Sequence, residues 1–292
     1  MAEKRKFYGM RNDYMFHAVL QKNEEVLRNL LATLLEIDEA EIESCHIENP
    51  IELGKEIEGK ECILDVKLTL NNDKVINIEL QVYKQTYWIN RSLLYWARTY
   101  DNLKSGQDYS MLLPAYHIGI LDFTLFENHP KFMAQYQILD VEDGYLYSDK
   151  LCIKVLDLTQ LEKAKRESET NKKLLKWASI FKAETLEELE QLASGEEVFE
   201  NMVVTMKKLS EDEKIRMQCE AREDYERSLL TEYNAGKSEG IEQGIASERG
   251  NTEKERQRAE KESQRAEKER QRAEKESQRA DALAAEVERL RA

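Results

Sequence analysis

Apolar residues recur at helical spacing through residues 11–36, at Phe16, Val19, Leu20, Leu27, Leu30, Leu31, Leu34 and Leu35, which predicts one amphipathic helix. Asn12 or Asp13 is placed to cap its start. The period then shortens to two. Strand-like pieces follow at 42–48, 61–70 and 74–83. A second helix is expected over 86–105, with Trp88, Leu93, Leu94, Tyr95, Trp96 and Tyr100 on it and Ser105-Gly106 as its C-cap. Further strands are expected at 109–113, 115–123, 132–139 and 150–157, and from 170 onward the pattern is helical. Helix, strands, helix, strands is the order of a mixed sheet flanked by helices.

The C-terminal third has a different rhythm. Gly236, Gly240 and Gly244 recur every fourth residue among lysines and glutamates, which reads as a flexible or closely packed helix rather than a membrane-packing motif. Four heptads then run from 253 to 280, alternating EKERQRA and EKESQRA. Alanine at 259, 266, 273 and 280 is their only apolar position, whereas a stable coiled coil wants two larger ones per heptad. Opposite charges stand three or four apart, as in Glu255 with Arg258 and Arg258 with Glu262. Two readings stay open: a solvated, ion-paired helix, or a weak coiled coil helped by Leu283, Val287 and Leu290. Either makes this segment a spacer or an oligomerisation arm. The expected division is 1–200 for the sheet domain, 201–250 for a glycine-punctuated helical segment and 251–292 for the charged heptads.

Composition fits that division. Charged residues make up 35% of the 292, above the usual quarter or so, and the excess lies in the heptads. All three prolines fall at or before Pro130, so the second half is free to be helical. A net charge of −14 argues against a general nucleic-acid coat protein, though not against an enzyme with a local basic patch. The four cysteines, Cys45, Cys62, Cys152 and Cys219, form no CxxC, as in reduced cytosolic thiols. His17, His46, His117 and His129 lack zinc-ligand spacing. MAEKRKFYGM has no apolar signal-peptide core, and no apolar run approaches membrane-spanning length. A soluble, cytoplasmic protein without a membrane partner is expected.

The candidate chemistry lies in ILDVKLTLNNDKVINIELQVY, residues 63–83. Leu64, Val66, Leu68 and Leu70 share one strand face, and Asp65, Lys67 and Thr69 the other. On the next strand Ile76, Ile78, Leu80 and Val82 oppose Asn77, Glu79 and Gln81. Both apolar sets must meet one core, so paired positions must share parity; a one-residue slip would put one set in water. A three-residue turn, Asn71 to Asp73, satisfies this and centres the hairpin on Asn72. Asp65 then faces Glu79, with Cβ atoms about 4.5–5.5 Å apart. Facing carboxylates repel unless a divalent cation sits between them or one pKa is raised. A solvated polar face is the plainer account of the same pattern.

An Asp on one strand followed by Glu-x-Lys on the next is the core signature of PD-(D/E)xK nucleases, here Asp65, a gap, then Glu79-Leu80-Gln81. More specifically, NDYMFHAVL, ILDVKLTL, the long stretch from NIELQVYKQTYWINRSLLYWARTYDNL to AYHIGILDF, and EGIEQG resemble the bacterial recombination-promoting nuclease and transposase family, over about residues 10–245. The resemblance implies a restriction-endonuclease-like α/β fold, a mixed β-sheet flanked by helices, followed by a long helical C-terminal arm. It implies a DNA endonuclease dependent on Mg2+ or another divalent cation and linked to recombination or transposition. Asp65, Glu79 and the Leu80 backbone carbonyl would hold the ion, which would polarise the scissile phosphate and lower the pKa of an attacking water.

Gln81 stands where the superfamily usually has lysine, so its catalytic part is altered, and Lys67 is the neighbouring candidate for the missing cation. Asp13 either completes the acidic cluster or simply caps its helix. Arg91 and Tyr95 share a helix face. Arg91 either holds a substrate phosphate or packs on its aromatic neighbour, while Trp88, Trp96 and Tyr100 read as core. The expected partners are DNA and further copies of the chain, joined through the C-terminal helices. The alternative from a different class is a catalytically silent scaffold that binds partners through its helices.

Overall fold

The computed structural model describes residues 6–51, 53, 65–167 and 171–291. Cys62, Leu64 and the rest of the strand expected over 61–64 lie outside the described residues. β2 (Val66–Leu70) and β3 (Lys74–Gln81) pair antiparallel from Leu70↔Lys74 to Val66↔Ile78, the register expected from parity. Asn71 and Asn72 take the turn with φ of 50° and 54°, a left-handed conformation that asparagine tolerates better than most residues. Asn71 also ties the hairpin to the segment before it. Its Oδ1 accepts from the N–H groups of Glu43 and Ser44 at 2.8 and 3.0 Å, and its Nδ2 donates to the Glu41 carbonyl at 2.7 Å.

Among the described residues, six strands form one sheet in the order β1-β2-β3-β4-β6-β5, with β1 at Cys45–Ile47, β4 at Ala115–Leu121, β5 at Met133–Leu139 and β6 at Leu146–Asp157. The β3–β4 and β4–β6 pairings are parallel and the others antiparallel. Even-numbered positions of the central strands, such as Val66, Leu68, Ile76, Ile78, Ile118 and Ile120, join the main core with Phe16, Leu30, Trp177 and Phe199 from the helices. Odd-numbered positions face α3 (Trp88–Tyr100), which joins β3 to β4. Trp88 packs there with Leu151, Ile153 and Val155. The face expected to be polar is therefore covered: Asn77 is 6% exposed and Glu79 1%.

Several boundaries differ from expectation. The helix expected over 11–36 is two, α1 (Asp13–Lys22) and α2 (Glu24–Leu35), because Asn23 adopts extended backbone and its side chain caps Val26 N–H. Asn12, not Asp13, caps α1, accepting from Met15 N–H at 3.1 Å. The second helix ends at Tyr100, and Gly106, at φ 84°, serves a later turn. The strand expected at 109–113 is a 3-10 turn, Tyr109–Met111, because the Asp108 carboxylate draws in Ser110 N–H. A short helix α4 (Leu161–Ala164) precedes α5 (Lys172–Lys182), α6 (Leu186–Ala193) and α7 (Glu197–Glu211). α8 runs from Glu213 to Arg291.

The chain divides into two units, Met1–Ser228 and Leu229–Ala292. In the second, Gly236, Gly240, Gly244 and the heptads are helical, and every side chain described from 229 to 281 is exposed. Cys45, Cys152 and Cys219 are free thiols. Among the described residues, no helix is long and apolar enough to cross a membrane.

Candidate active site

Asp65 sits one step before β2, held by its backbone. Asn49 Nδ2 donates to the Asp65 carbonyl at 2.7 Å, and Lys67 N–H donates to Asn49 Oδ1 at 2.8 Å. Continuing the β2–β3 register by one pair brings Asp65 against Glu79. The charges respond accordingly. The Asp65 carboxyl is pushed up to about 8, by burial first and by the Glu79 charge second; Arg91 and the Asn77 hydrogen bond pull the other way. This is the raised-pKa answer to facing carboxylates.

Glu79 lies at the middle of a polar cluster beneath α3. Arg91 Nη2 is 2.8 Å from Oε1, and His117 Nε2 is 3.4 Å from Oε2. Arg91 also donates from Nη1 to Gln85 Oε1 at 3.0 Å and lies 5.0 Å from the Tyr95 ring centroid. His117 is fully buried between Trp88 and Tyr95, with ring centroids 5.9 and 6.3 Å away. Its Nδ1 is 3.2 Å from Asn77 Nδ2, and that same amide nitrogen is 3.4 Å from Asp65 Oδ2. Gly119 makes room for the aromatic cover. It pairs with Glu79 across β3–β4, and a Cβ on it would lie 2.4 Å from Trp88 Cζ2.

A third acid is close enough to push the Asp65 carboxyl upward: Asp13, in the first turn of α1. It is gripped by Arg222 from the start of α8, whose Nε lies 3.1 and 3.0 Å from the two carboxylate oxygens and whose Nη2 also bonds it. Glu226, one turn further along, has its carboxyl pushed up to about 7 by burial and by the Asp13 charge.

The structure thus brings together Asp65, Glu79, Arg91 and Tyr95, with Asp13 at the edge of the group. Lys67 is directed elsewhere, its ammonium 3.0 Å from Glu48. Gln81 ends β3, where its backbone carbonyl accepts from Asp122 N–H at 3.0 Å, and Leu80 precedes it opposite Ile120. Arg91, expected to meet a phosphate or an aromatic, meets Tyr95 and Glu79 together. The sequence reading missed Asn77, His117 and Arg222. Asn77 and His117 carried a signal: each is a polar residue inside an otherwise apolar strand, on the acid-bearing face. Arg222 carried none, since it stands 209 positions from its partner.

Charge chemistry fits a divalent ion at this site. Two carboxylates faced by one guanidinium leave a surplus negative charge, which raises the Asp65 carboxyl and favours its protonated form. Glu79 Oε1 and Oε2 are buried and have no well-directed hydrogen bond. A hard cation suits such oxygens.

Acids on adjacent central strands, one of them beside a parallel crossover helix, are the frame of a restriction-endonuclease-like α/β domain. The family model described as PD-(D/E)XK nuclease family transposase matches residues 10–236, and the chain belongs to that family. No curated protein and no solved structure matches the chain.

Proposed function

We propose that this protein is a divalent-metal-dependent DNA endonuclease acting in recombination or transposition, with Asp65 and Glu79 as its metal-holding carboxylates. The observation that carries this reading is the acid pair itself, Glu79 buried and Asp65 half-buried beside it, with the Asp65 carboxyl pushed up first by burial and then by the Glu79 charge. Such a site is costly to maintain for stability alone. Asp65 and Glu79, with the Leu80 carbonyl, would hold Mg2+, and Asp13 would add charge from the side. When bound, the ion supplies Lewis acidity to the scissile phosphate and lowers the pKa of the attacking water.

The chain's own residues do the remaining work. Arg91 neutralises Glu79 in the free protein and, once relieved of it, has a guanidinium within the site to hold a phosphate bidentately. Gln81 offers an uncharged amide at the position where lysine is usual. Trp88 and the α3 helix keep water from Glu79, which strengthens every charge interaction there. Lys67, paired with Glu48, serves better as a strand-to-strand tie than as the missing cation. The exposed alanine-containing heptads are the means by which we expect copies of the chain to associate.

The test is plasmid nicking with Mg2+, Ca2+ or EDTA by wild type, Asp65→Asn and Glu79→Gln. Cutting by wild type alone, and only with Mg2+, supports the reading. Equal cutting by all three assigns the activity elsewhere. Absence of cutting by wild type on any DNA, together with absence of ion binding, favours the silent scaffold, in which Arg91 and the proton on Asp65 neutralise the acids permanently.

A further inference from the structure

The polar cluster under α3 has a directionality that its distances and donor chemistry fix together. An amide nitrogen only donates. Asn77 Nδ2 has two hydrogens and two neighbours, Asp65 Oδ2 at 3.4 Å and His117 Nδ1 at 3.2 Å. With the amide nitrogen turned this way, His117 Nδ1 presents its lone pair. The ring's proton then resides on Nε2, which lies 3.4 Å from Glu79 Oε2, an electrostatic contact longer and less directed than a hydrogen bond. The ring has little freedom to turn, being fully buried and bracketed by Trp88 and Tyr95. The other oxygen of Glu79 faces Arg91, a long side chain that is itself 17% exposed.

We propose that Asn77 and His117 are positioning residues for the acid pair. Asn77 selects the Nε2–H form of His117, and the positive end of that N–H, 3.4 Å from Glu79 Oε2, attracts the carboxylate. Oε1 is thereby turned toward Arg91 in the free protein and toward the cation when one binds. The same asparagine orients Asp65, so one side chain sets both carboxylates. This inference rests on the nuclease reading of the acids and adds two residues to it. It gives the histidine a role although no histidine in the chain has metal-ligand spacing. The imidazole acts from behind the ligand, as supporting hydrogen bonds commonly do in metal sites.

Two measurements on the full-length protein test it. The first is the nitrogen NMR spectrum of His117 in the metal-free wild type, which reports directly which ring nitrogen carries the proton. The expected result is protonation at Nε2; protonation at Nδ1 overturns the inference. The second is Mn2+ affinity by calorimetry. His117→Leu should bind about ten-fold more weakly or worse. His117→Gln, which restores a side-chain N–H near the Nε2 position, should recover to within about three-fold of wild type, by the same loss-and-restoration logic. Equal binding by wild type and both variants overturns the positioning role. If His117→Leu does not fold, the glutamine variant and the wild-type spectrum still decide the matter. If wild type binds no Mn2+ and cuts no DNA, the nuclease reading fails, and the spectrum separately judges the Asn77–His117 geometry.

Discussion

Replacing Asp65 by asparagine should make the metal-free protein more stable. The Asp65 carboxyl rises from 3.8 to about 8 on folding, through burial first and Glu79 second. At pH 7 the unfolded chain carries the carboxylate and the folded chain the acid, so folding must take up a proton. At 1.36 kcal/mol per unit over about three units, that uptake costs about 4 kcal/mol at most. An amide of the same shape avoids the cost but still needs its own hydrogen bonds, so a net gain of about 2 kcal/mol is expected. For a domain of this size that is a rise in Tm of about 4–8 °C. The sign depends on pH. A raised carboxyl favours the folded state fully only below its unfolded pKa, and the benefit is lost as pH climbs through the folded value. Near pH 4, where most of the wild-type cost is gone, Asp65→Asn should therefore be about 1–2 kcal/mol less stable than wild type; the order should reverse between about pH 5 and 6, and the variant's lead should grow up to about pH 8. Calorimetric melts across that range, with EDTA present, are the assay. An unchanged or lowered Tm for Asp65→Asn at pH 7 would refute the claim that the acids are held together against their repulsion. Mn2+ should then raise the Tm of wild type and leave the variant where it is.

The same proton gives a second expectation: Mn2+ binding should release about 0.9 proton per ion at pH 7 and about 0.5 at pH 8, measured by calorimetry in buffers of different ionisation enthalpy. Pairing Gly119→Ala with Trp88→Leu probes the cover over Glu79. The new methyl meets Trp88 at 2.4 Å, so the single alanine variant should lose about 1–3 kcal/mol, and Trp88→Leu should make the alanine nearly neutral in a double-mutant cycle. Deleting residues 250–292 should leave the melting of the 1–228 unit unchanged while reducing the number of chains per particle, read as light-scattering mass divided by chain mass; an unchanged number would remove the heptads as an association surface.

Much of the sheet domain was legible in the sequence because period-two alternation over a short asparagine turn leaves one register. Leu70↔Lys74 followed from parity together with a three-residue turn, and extending that register by one pair sets Asp65 against Glu79. What was not legible depended on contacts distant in sequence. α3 buries the hairpin's polar face only because Gly119, forty residues beyond Glu79, admits the Trp88 ring. Asp13 is an ion-pair partner, not a cap, because Arg222 returns to it from the other end of the domain. The break at Asn23 was hidden by leucines that keep helical spacing on both sides of it, although asparagine is a strong capping residue. Lys67 was assigned by face without regard to Glu48, which pairs with its ammonium from beyond the hairpin.

The most direct test of the central claim is a crystal soaked with Mn2+ and examined by anomalous scattering. The expected result is a single strong peak bonded to one oxygen each of Asp65 and Glu79 at about 2.0–2.3 Å, with the Arg91 guanidinium moved off Glu79 Oε1. A strong peak elsewhere in a protein that cuts DNA, with Arg91 still on Glu79, would contradict it.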